Sequence, residues 1–65
     1  MNSQEAIKVL NDHKHNGARW FPGFTYEGVG NVWCEWITPT GGNLQHAMPA
    51  FDAIAIAEKI QRESL

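Results

Sequence analysis

Apolar residues near the start of the chain recur at helical spacing and predict a helix over about residues 3–15. The stripe consists of Ala6, Ile7 and Leu10, with Val9 and His13 at its edge. Asn2 stands three positions before Glu5, which is the spacing of a capping box. Asn16-Gly17 provides a stop signal, because glycine accepts the left-handed conformation that often ends a helix.

A second stripe of helical spacing predicts a helix over about residues 49–63, with Pro49 in its first turn. The buried side is expected to hold Ala50, Ala53, Ile56, Ala57 and Ile60, and the solvated side Asp52, Glu58, Lys59, Arg62 and Glu63. Phe51 and Ile54 lie at the margin of the stripe and are more apolar than a solvated margin requires. We therefore interpret them as a second contact patch.

Between the helices the pattern alternates with a period of two, which predicts strands. The predicted strands are residues 24–28, 32–38 and 43–47. Pro22-Gly23 is typical of a turn, so residues 18–23 are interpreted as a connection. Glycine-rich segments predict a hairpin loop at 28–31 and a turn at 39–42.

Glu35 fixes which face of the second strand is buried. Val32, Cys34 and Trp36 share one face, and Trp33, Glu35 and Ile37 share the other. Burying an unpaired carboxylate is costly, so the face that carries Cys34 should point inward.

The first and third strands are then expected to align their apolar residues with that face. Phe24 and Tyr26 would point inward opposite Trp36 and Cys34, which requires a three-residue loop at 29–31. Thr25 and Glu27 would point outward, and Leu44 and His46 of the third strand would point inward.

The element order predicts an α+β fold. A helix, a three-stranded antiparallel meander and a second helix form a two-layer sandwich, with both helices on one sheet face. Sixty-five residues make a single domain, 1–65.

Composition narrows the class of protein. One cysteine excludes an internal disulfide and fits a reducing compartment. The formal charge is -2, no apolar run reaches the roughly 20 residues that span a bilayer, and the N-terminal segment does not resemble a signal peptide. We expect a soluble, cytoplasmic protein that does not bind membranes.

The residues that could carry chemistry lack the patterns that chemistry requires. Cys34 has no neighbouring cation or helix N-terminus in the sequence to lower its pKa. His13, His15 and His46 lack the paired ligand spacing of a zinc site, and no glycine-rich segment leads into a helix as a nucleotide-binding loop does. We expect no enzymatic activity, no metal or other cofactor and no small-molecule substrate.

The outer sheet face is the strongest functional candidate. Trp33 and Ile37 would stand there, rimmed by Glu27, Glu35 and Gln45. Exposed apolar patches mark interaction sites, unless a terminal segment or the loop at 19–21 covers them. We expect a non-enzymatic interaction module (a regulator, inhibitor or accessory subunit) that binds another protein or a second copy of itself. The expected contacts are Trp33, Ile37, Glu35 and Glu27, with Phe51 and Ile54 as the second patch.

The order helix, three strands, helix also resembles the layout of a double-stranded-RNA-binding domain. That family carries a lysine cluster at the start of its last helix, whereas residues 48–52 of this chain contain no basic residue. No Lys or Arg occurs between Trp20 and Glu58, although phosphate neutralisation dominates nucleic-acid affinity. Nucleic-acid binding through Lys8, Lys14 and Arg19 is therefore the alternative hypothesis.

Overall fold

The chain folds into two helices on a three-stranded antiparallel sheet, in a computed structural model that describes residues 1–26 and 29–64. The elements are α1 (Ser3–Asp12), β1 (Arg19–Tyr26), β2 (Val29–Ile37), β3 (Asn43–Pro49) and α2 (Ala50–Glu63), with a short 3₁₀ turn at His15–Gly17. The strands lie in the order β1-β2-β3. The predicted α+β order is confirmed.

A capping box starts α1, as predicted. The Asn2 side chain accepts a hydrogen bond from the Glu5 amide at 2.8 Å, and the Glu5 carboxylate accepts one from the Asn2 amide at 3.3 Å. The helix ends at Asp12, earlier than predicted, because Lys14 and Asn16 both adopt positive φ angles, of 48° and 57°. Two left-handed residues so close together turn the chain toward β1.

Both helices pack on the same face of the sheet. The core consists of Ala6, Leu10, Ala18, Trp20, Val32, Cys34, Ala53 and Ala57. Ala53 and Ala57 are fully buried, and their small side chains allow α2 to approach its neighbours closely. The Cα atoms span 35 × 35 × 13 Å, and the shortest of these dimensions corresponds to the thickness of two layers. No helix within residues 1–26 and 29–64 is long and apolar enough to cross a membrane.

The predicted orientation of β2 is confirmed. Val32 and Cys34 are buried in the core, and Trp36 packs against it half-buried. The indole Nε1 of Trp36 donates a hydrogen bond to the carbonyl oxygen of Asn16 at 2.8 Å. Glu35 lies on the opposite face, where its carboxylate avoids the cost of burial in the core.

The predicted connection at residues 18–23 is wrong, because most of it belongs to β1. Trp20 pairs with Cys34, and Pro22 pairs with Val32. The backbone N–H of Trp20 donates to the Asn11 side chain at 2.7 Å, so it points away from β2. Pro22 lies two residues further along, so its backbone nitrogen also faces away from β2. The N–H that proline lacks would not have bonded to β2, and no hydrogen bond of the sheet is lost.

The predicted pairing of β1 with β2 is also wrong. Trp20, and not Tyr26, lies opposite Cys34, and Phe24 does not pair with Trp36. Trp20 is thus an aromatic residue of β1 that fills the core, with 3% of its surface exposed.

The hairpin connection differs from the prediction as well. Tyr26 pairs with Val29, so residues 29–31 belong to β2 and the three-residue loop predicted there is wrong. Glu27 and Gly28 lie outside the described residues, and so does the predicted outward position of Glu27.

A bulge in β1 explains why Phe24 is not in the core. Pro22 pairs with Val32, whereas Thr25 pairs with Gly30, so the register shifts between them. One extra residue exchanges the two faces of a strand. Phe24 therefore lies on the outer face with 70% of its surface exposed, and its predicted inward position is wrong.

The turn at 39–42 is confirmed, and it leads into β3. The Gly42 amide donates to the Thr38 hydroxyl at 2.9 Å, and Gly41 supplies a positive φ of 86°. Leu44 and His46 pair with residues of the buried β2 face and so lie on the helix side, as predicted. Both are nevertheless exposed, because the helices reach the Met48 end of β3 but not the Leu44 end.

Candidate protein-interaction surface

The outer face of the sheet, defined as the side opposite the helices, gathers apolar side chains from all three strands. Strand pairing places Phe21 beside Trp33, Trp33 beside Ala47, Glu35 beside Gln45, and Ile37 beside Asn43. Phe24 and Ile37 are 70% and 71% exposed, whereas Phe21 and Trp33 are half-buried. The predicted pair of Trp33 and Ile37 does lie on this face.

Trp33 is held in place by β1. The ring of Phe24 approaches the indole edge-on, with centroids 6.0 Å apart. Gly23 lies so close that a Cβ atom added to it would overlap Cδ1 and Nε1 of Trp33. Nε1 is buried and has no hydrogen-bond partner in the described chain. Residues 19–21, the alternative cover expected from the sequence, form part of β1 and do not fold over Trp33 as a loop.

A shallow depression lies next to Trp33. It encloses about 250 Å³ and is lined by residues 21–24, Trp33 and Gln45. Phe21 and Phe24 were not predicted as part of this surface. Phe21 was missed because residues 18–23 were interpreted as a connection, and Phe24 because the bulge after Pro22 reverses the alternation.

The polar rim of the outer face carries little charge. Glu35 is half-buried and accepts a hydrogen bond from the Asn43 side-chain amide. Arg19 lies opposite Glu35 across the β1–β2 ladder. The surface therefore presents one apolar area around Trp33 and another at Ile37, separated by a polar row of Arg19, Glu35 and Gln45 that runs across the strands, with no large field of either sign among the described positions.

The predicted second patch lies on the helical layer and is separate from the outer face. Phe51, in the first turn of α2, is 66% exposed. Ile54 is half-buried and packs against the core. The structure thus brings together Trp33, Glu35 and Ile37, but it does not bring Phe51 and Ile54 to them.

Cys34 sits in the core with 1% of its surface exposed. Burial raises the pKa of its thiol above the ordinary value of 9.0, although the backbone of His46 opposes the shift. The thiolate is the reactive form of cysteine, so this environment makes Cys34 inert.

We expect iodoacetamide to modify Cys34 at least about a hundredfold more slowly in the folded protein than in the urea-unfolded chain, because access requires opening of the core. Mass spectrometry of timed samples measures both rates. Equal alkylation rates in the two states would show that Cys34 is accessible.

The raised pKa of Cys34 also predicts how stability depends on pH. Above pH 9.0 the unfolded thiol loses its proton before the folded one does, so the free energy of unfolding should fall as pH rises through that region.

The histidines do not converge on a common site. His13 contacts the carbonyl oxygen of Val9 through Nδ1 at 3.0 Å, and the His15 ring lies 5.8 Å from that of Trp20. His46 is exposed on β3. Within the described residues, no group of three or more His, Cys, Asp or Glu side chains is arranged to hold a metal ion.

The basic residues of the alternative hypothesis are dispersed. The Lys8 ammonium lies 2.8 Å from the Asp12 carboxylate, whose hydrogen bond and charge raise the pKa of Lys8. Lys14 follows α1, and Arg19 lies across the sheet from that helix on the outer face. Nucleic-acid binding through these residues stays a prediction, without a shared basic surface to support it.

Comparison of the chain with protein-family models, curated proteins and solved structures found no match.

Proposed function

We propose that this chain is a non-enzymatic module that binds a partner protein through the outer face of its sheet. The observation that carries the proposal is the exposure of Phe24 and Ile37, at 70% and 71%, on the same face as Trp33. An exposed apolar patch on one side of a small sheet is typical of interaction surfaces. A module of this kind acts by occupying its partner's surface, as a regulator, an inhibitor or an accessory subunit.

Trp33 suits the centre of such an interface. Tryptophan is enriched among the residues that dominate binding energy, and these residues lie near the middle of an interface. Phe24 and Gly23 already hold the indole, so binding would immobilise little additional side-chain freedom. Phe21 and Phe24, which line the depression beside the indole, would exclude water around it.

The charge pattern indicates what kind of attraction a partner would use. Arg19 and Glu35 face each other across the ladder, so neither sign dominates the outer face. Affinity should therefore come from apolar burial and depend weakly on salt. Nucleic-acid binding would instead weaken steeply with salt, because it releases counterions.

A matched pair of variants tests the surface. Ile37→Ser removes an apolar side chain from the outer face, whereas Leu44→Ser removes one of similar exposure, 61%, from the opposite face of the sheet. Burial of an isoleucine contributes about 1.5–3 kcal/mol, so Ile37→Ser should weaken binding roughly tenfold to a hundredfold. Leu44→Ser should leave the affinity unchanged.

The partner is first captured from a lysate by the wild-type chain, and its dissociation constant for each variant is then measured by calorimetry. Phe51→Ser serves as a second control on the helical layer, and circular dichroism verifies that every variant is folded. Equal losses for Ile37→Ser and Leu44→Ser, or a loss for Phe51→Ser alone, would contradict the proposal.

A further inference from the structure

The two edges of the sheet differ in how they meet solvent. At the β1 edge, the Asn11 side chain accepts from the Trp20 amide at 2.7 Å and donates to the Trp20 carbonyl oxygen at 2.8 Å. Pro22, further along this edge, has no N–H to offer. The β1 edge is thus closed to pairing with another strand by two of the devices that natural sheets use.

The orientation of the Trp20 backbone also fixes the hydrogen-bond pattern of the whole sheet. Its N–H and C=O face Asn11, so Trp20 and Cys34 form a non-hydrogen-bonded pair. The backbone polar groups of Cys34 must then face β3, which makes Cys34 and His46 a hydrogen-bonded pair. The Thr38 amide, which donates to the Gly42 carbonyl oxygen at 2.8 Å, fits the same alternation.

Alternation along β3 consequently turns the backbone groups of Asn43, Gln45 and Ala47 toward solvent. Among the described residues, no side chain hydrogen-bonds to the backbone of Gln45 or Ala47. Residues 43–48 contain no proline and no Asp, Glu, Lys or Arg. Over residues 43–48 the β3 edge therefore lacks the protection that the β1 edge has, and its only proline is the last residue of the strand, Pro49.

We propose that β3 is a dimerisation edge, which pairs antiparallel with β3 of a second copy of this chain about a two-fold axis at Gln45. Gln45 of one copy then faces Gln45 of the other, and Asn43 faces Ala47. The two-fold axis generates the Asn43–Ala47 pair twice, so three hydrogen-bonded pairs form and exchange about six backbone hydrogen bonds. The two sheets join into one, and the interface does not depend on the proposed function of the outer face.

The side chains of β3 complement themselves in this register. On the helix side, exposed Leu44 of each copy meets His46 of the other, and no like charges oppose each other at neutral pH. The helices leave the Leu44 end of β3 uncovered, so a second sheet has room to approach. A shift of the axis to His46 would place Asn43 opposite Pro49, which has no N–H to donate. Association also compensates for the small core of a 65-residue domain.

Introduction of a charge at the two-fold axis tests both the dimer and its register. Gln45→Lys and Gln45→Glu each place two like charges opposite one another, so each should raise the dissociation constant of the dimer at least about tenfold. An equal mixture of the two variants should restore association as a heterodimer. Light scattering during size-exclusion chromatography, over a dilution series, measures the mass against the 7.3 kDa of one chain.

Removal of the edge amide gives an independent measurement. Gln45→Pro deletes an N–H that the single chain does not use within its sheet, and Gln45→Ala is the control that retains it. Gln45→Pro should dissociate the dimer while preserving the circular dichroism spectrum, and Gln45→Ala should remain dimeric. Hydrogen exchange of the Gln45 and Ala47 amides in the wild type should slow as concentration rises, whereas the His46 amide is protected at every concentration.

Three results would overturn the proposal. The wild type could remain a monomer at millimolar concentration, with the Gln45 and Ala47 amides exchanging at the rate of unprotected ones. Association could persist in Gln45→Lys and disappear in Ile37→Ser, which would assign it to the outer face. The Gln45 and Ala47 amides could become protected only when a different protein is added, which would show that β3 accepts a partner's strand instead of its own copy.

Discussion

Trp20→Ala is expected to destabilise the protein severely. Trp20 is 3% exposed at the centre of the core, and its Nε1 donates to the His15 carbonyl oxygen at 3.1 Å. Truncation of a buried tryptophan to alanine costs about 3–5 kcal/mol, since it leaves a cavity as well as removing contacts. A chain of 65 residues has a free energy of unfolding of about 3–10 kcal/mol, so the substitution would remove between about a third of the stability and all of it.

Urea denaturation followed by far-UV circular dichroism measures the effect, at one protein concentration because self-association would shift the transition. Trp20→Phe is the matched control, which keeps an aromatic ring but loses the bond to His15, and it should cost about 1 kcal/mol more than the change in ring size alone. Trp36→Ala should cost less than Trp20→Ala, because Trp36 is only half-buried. If Trp36→Ala proves the more damaging of the two, the assignment of Trp20 to the centre of the core is wrong.

Gly23→Ala is expected to destabilise the protein by about 1–3 kcal/mol, which is the usual cost of overpacking. The reason is steric, since the new Cβ atom would overlap the indole of Trp33. Trp33 would have to leave its position, and the outer face would lose its preformed centre. Thermal unfolding and near-UV circular dichroism measure the loss of stability and the loss of ordered aromatic packing.

Two comparisons separate this clash from a general effect of adding a methyl group. Gly30→Ala lies in the neighbouring strand, where an added Cβ atom would sit 3.8 Å from the Cβ atom of Ala50, an ordinary contact. It should be tolerated. In a Trp33→Ala background the penalty of Gly23→Ala should decrease, giving a coupling energy between the two sites, although the added Cβ atom would still lie 3.0 Å from the carbonyl oxygen of Asn31. A penalty that is the same with and without Trp33 would refute the close approach.

The helices and the buried face of β2 could be predicted because their patterns are strong and local. Asn2 and Glu5 specify where α1 begins, and Glu35 specifies which face of β2 avoids the core. The buried stripe of α2 follows directly from its spacing, with Ala53 and Ala57 fully buried. Each of these inferences required only residues within one element.

β1 could not be predicted because its rules depend on residues elsewhere in the chain. Pro22-Gly23 is typical of a turn, yet Pro22 is tolerated in the strand because that edge is not paired with a further strand. Gly23 is present where the backbone approaches Trp33, a contact that no local pattern encodes. Asn11, nine residues before Trp20, supplies the hydrogen bonds that a neighbouring strand would otherwise provide.

The candidate surface was predicted in its centre and missed at its margin. Trp33, Glu35 and Ile37 follow from the alternation of β2, whereas Phe24 reaches the outer face only because of the bulge in β1. Exposure of Leu44 was missed for a different reason: alternation identifies the side of a sheet, but the reach of the helices decides whether that side is covered.

The three tryptophans occupy three distinct environments: Trp20 in the core, Trp36 bound to the turn after α1, and Trp33 on the open side of the sheet. Indole fluorescence is sensitive to the polarity around the ring, so each residue is a separate optical reporter. A chain in which only Trp33 remains, with phenylalanine at the other two positions, would report events at the outer side of the sheet without any attached dye. The same protein with only Trp20 would report the integrity of the interior, and the two signals together would distinguish docking from unfolding in a single titration.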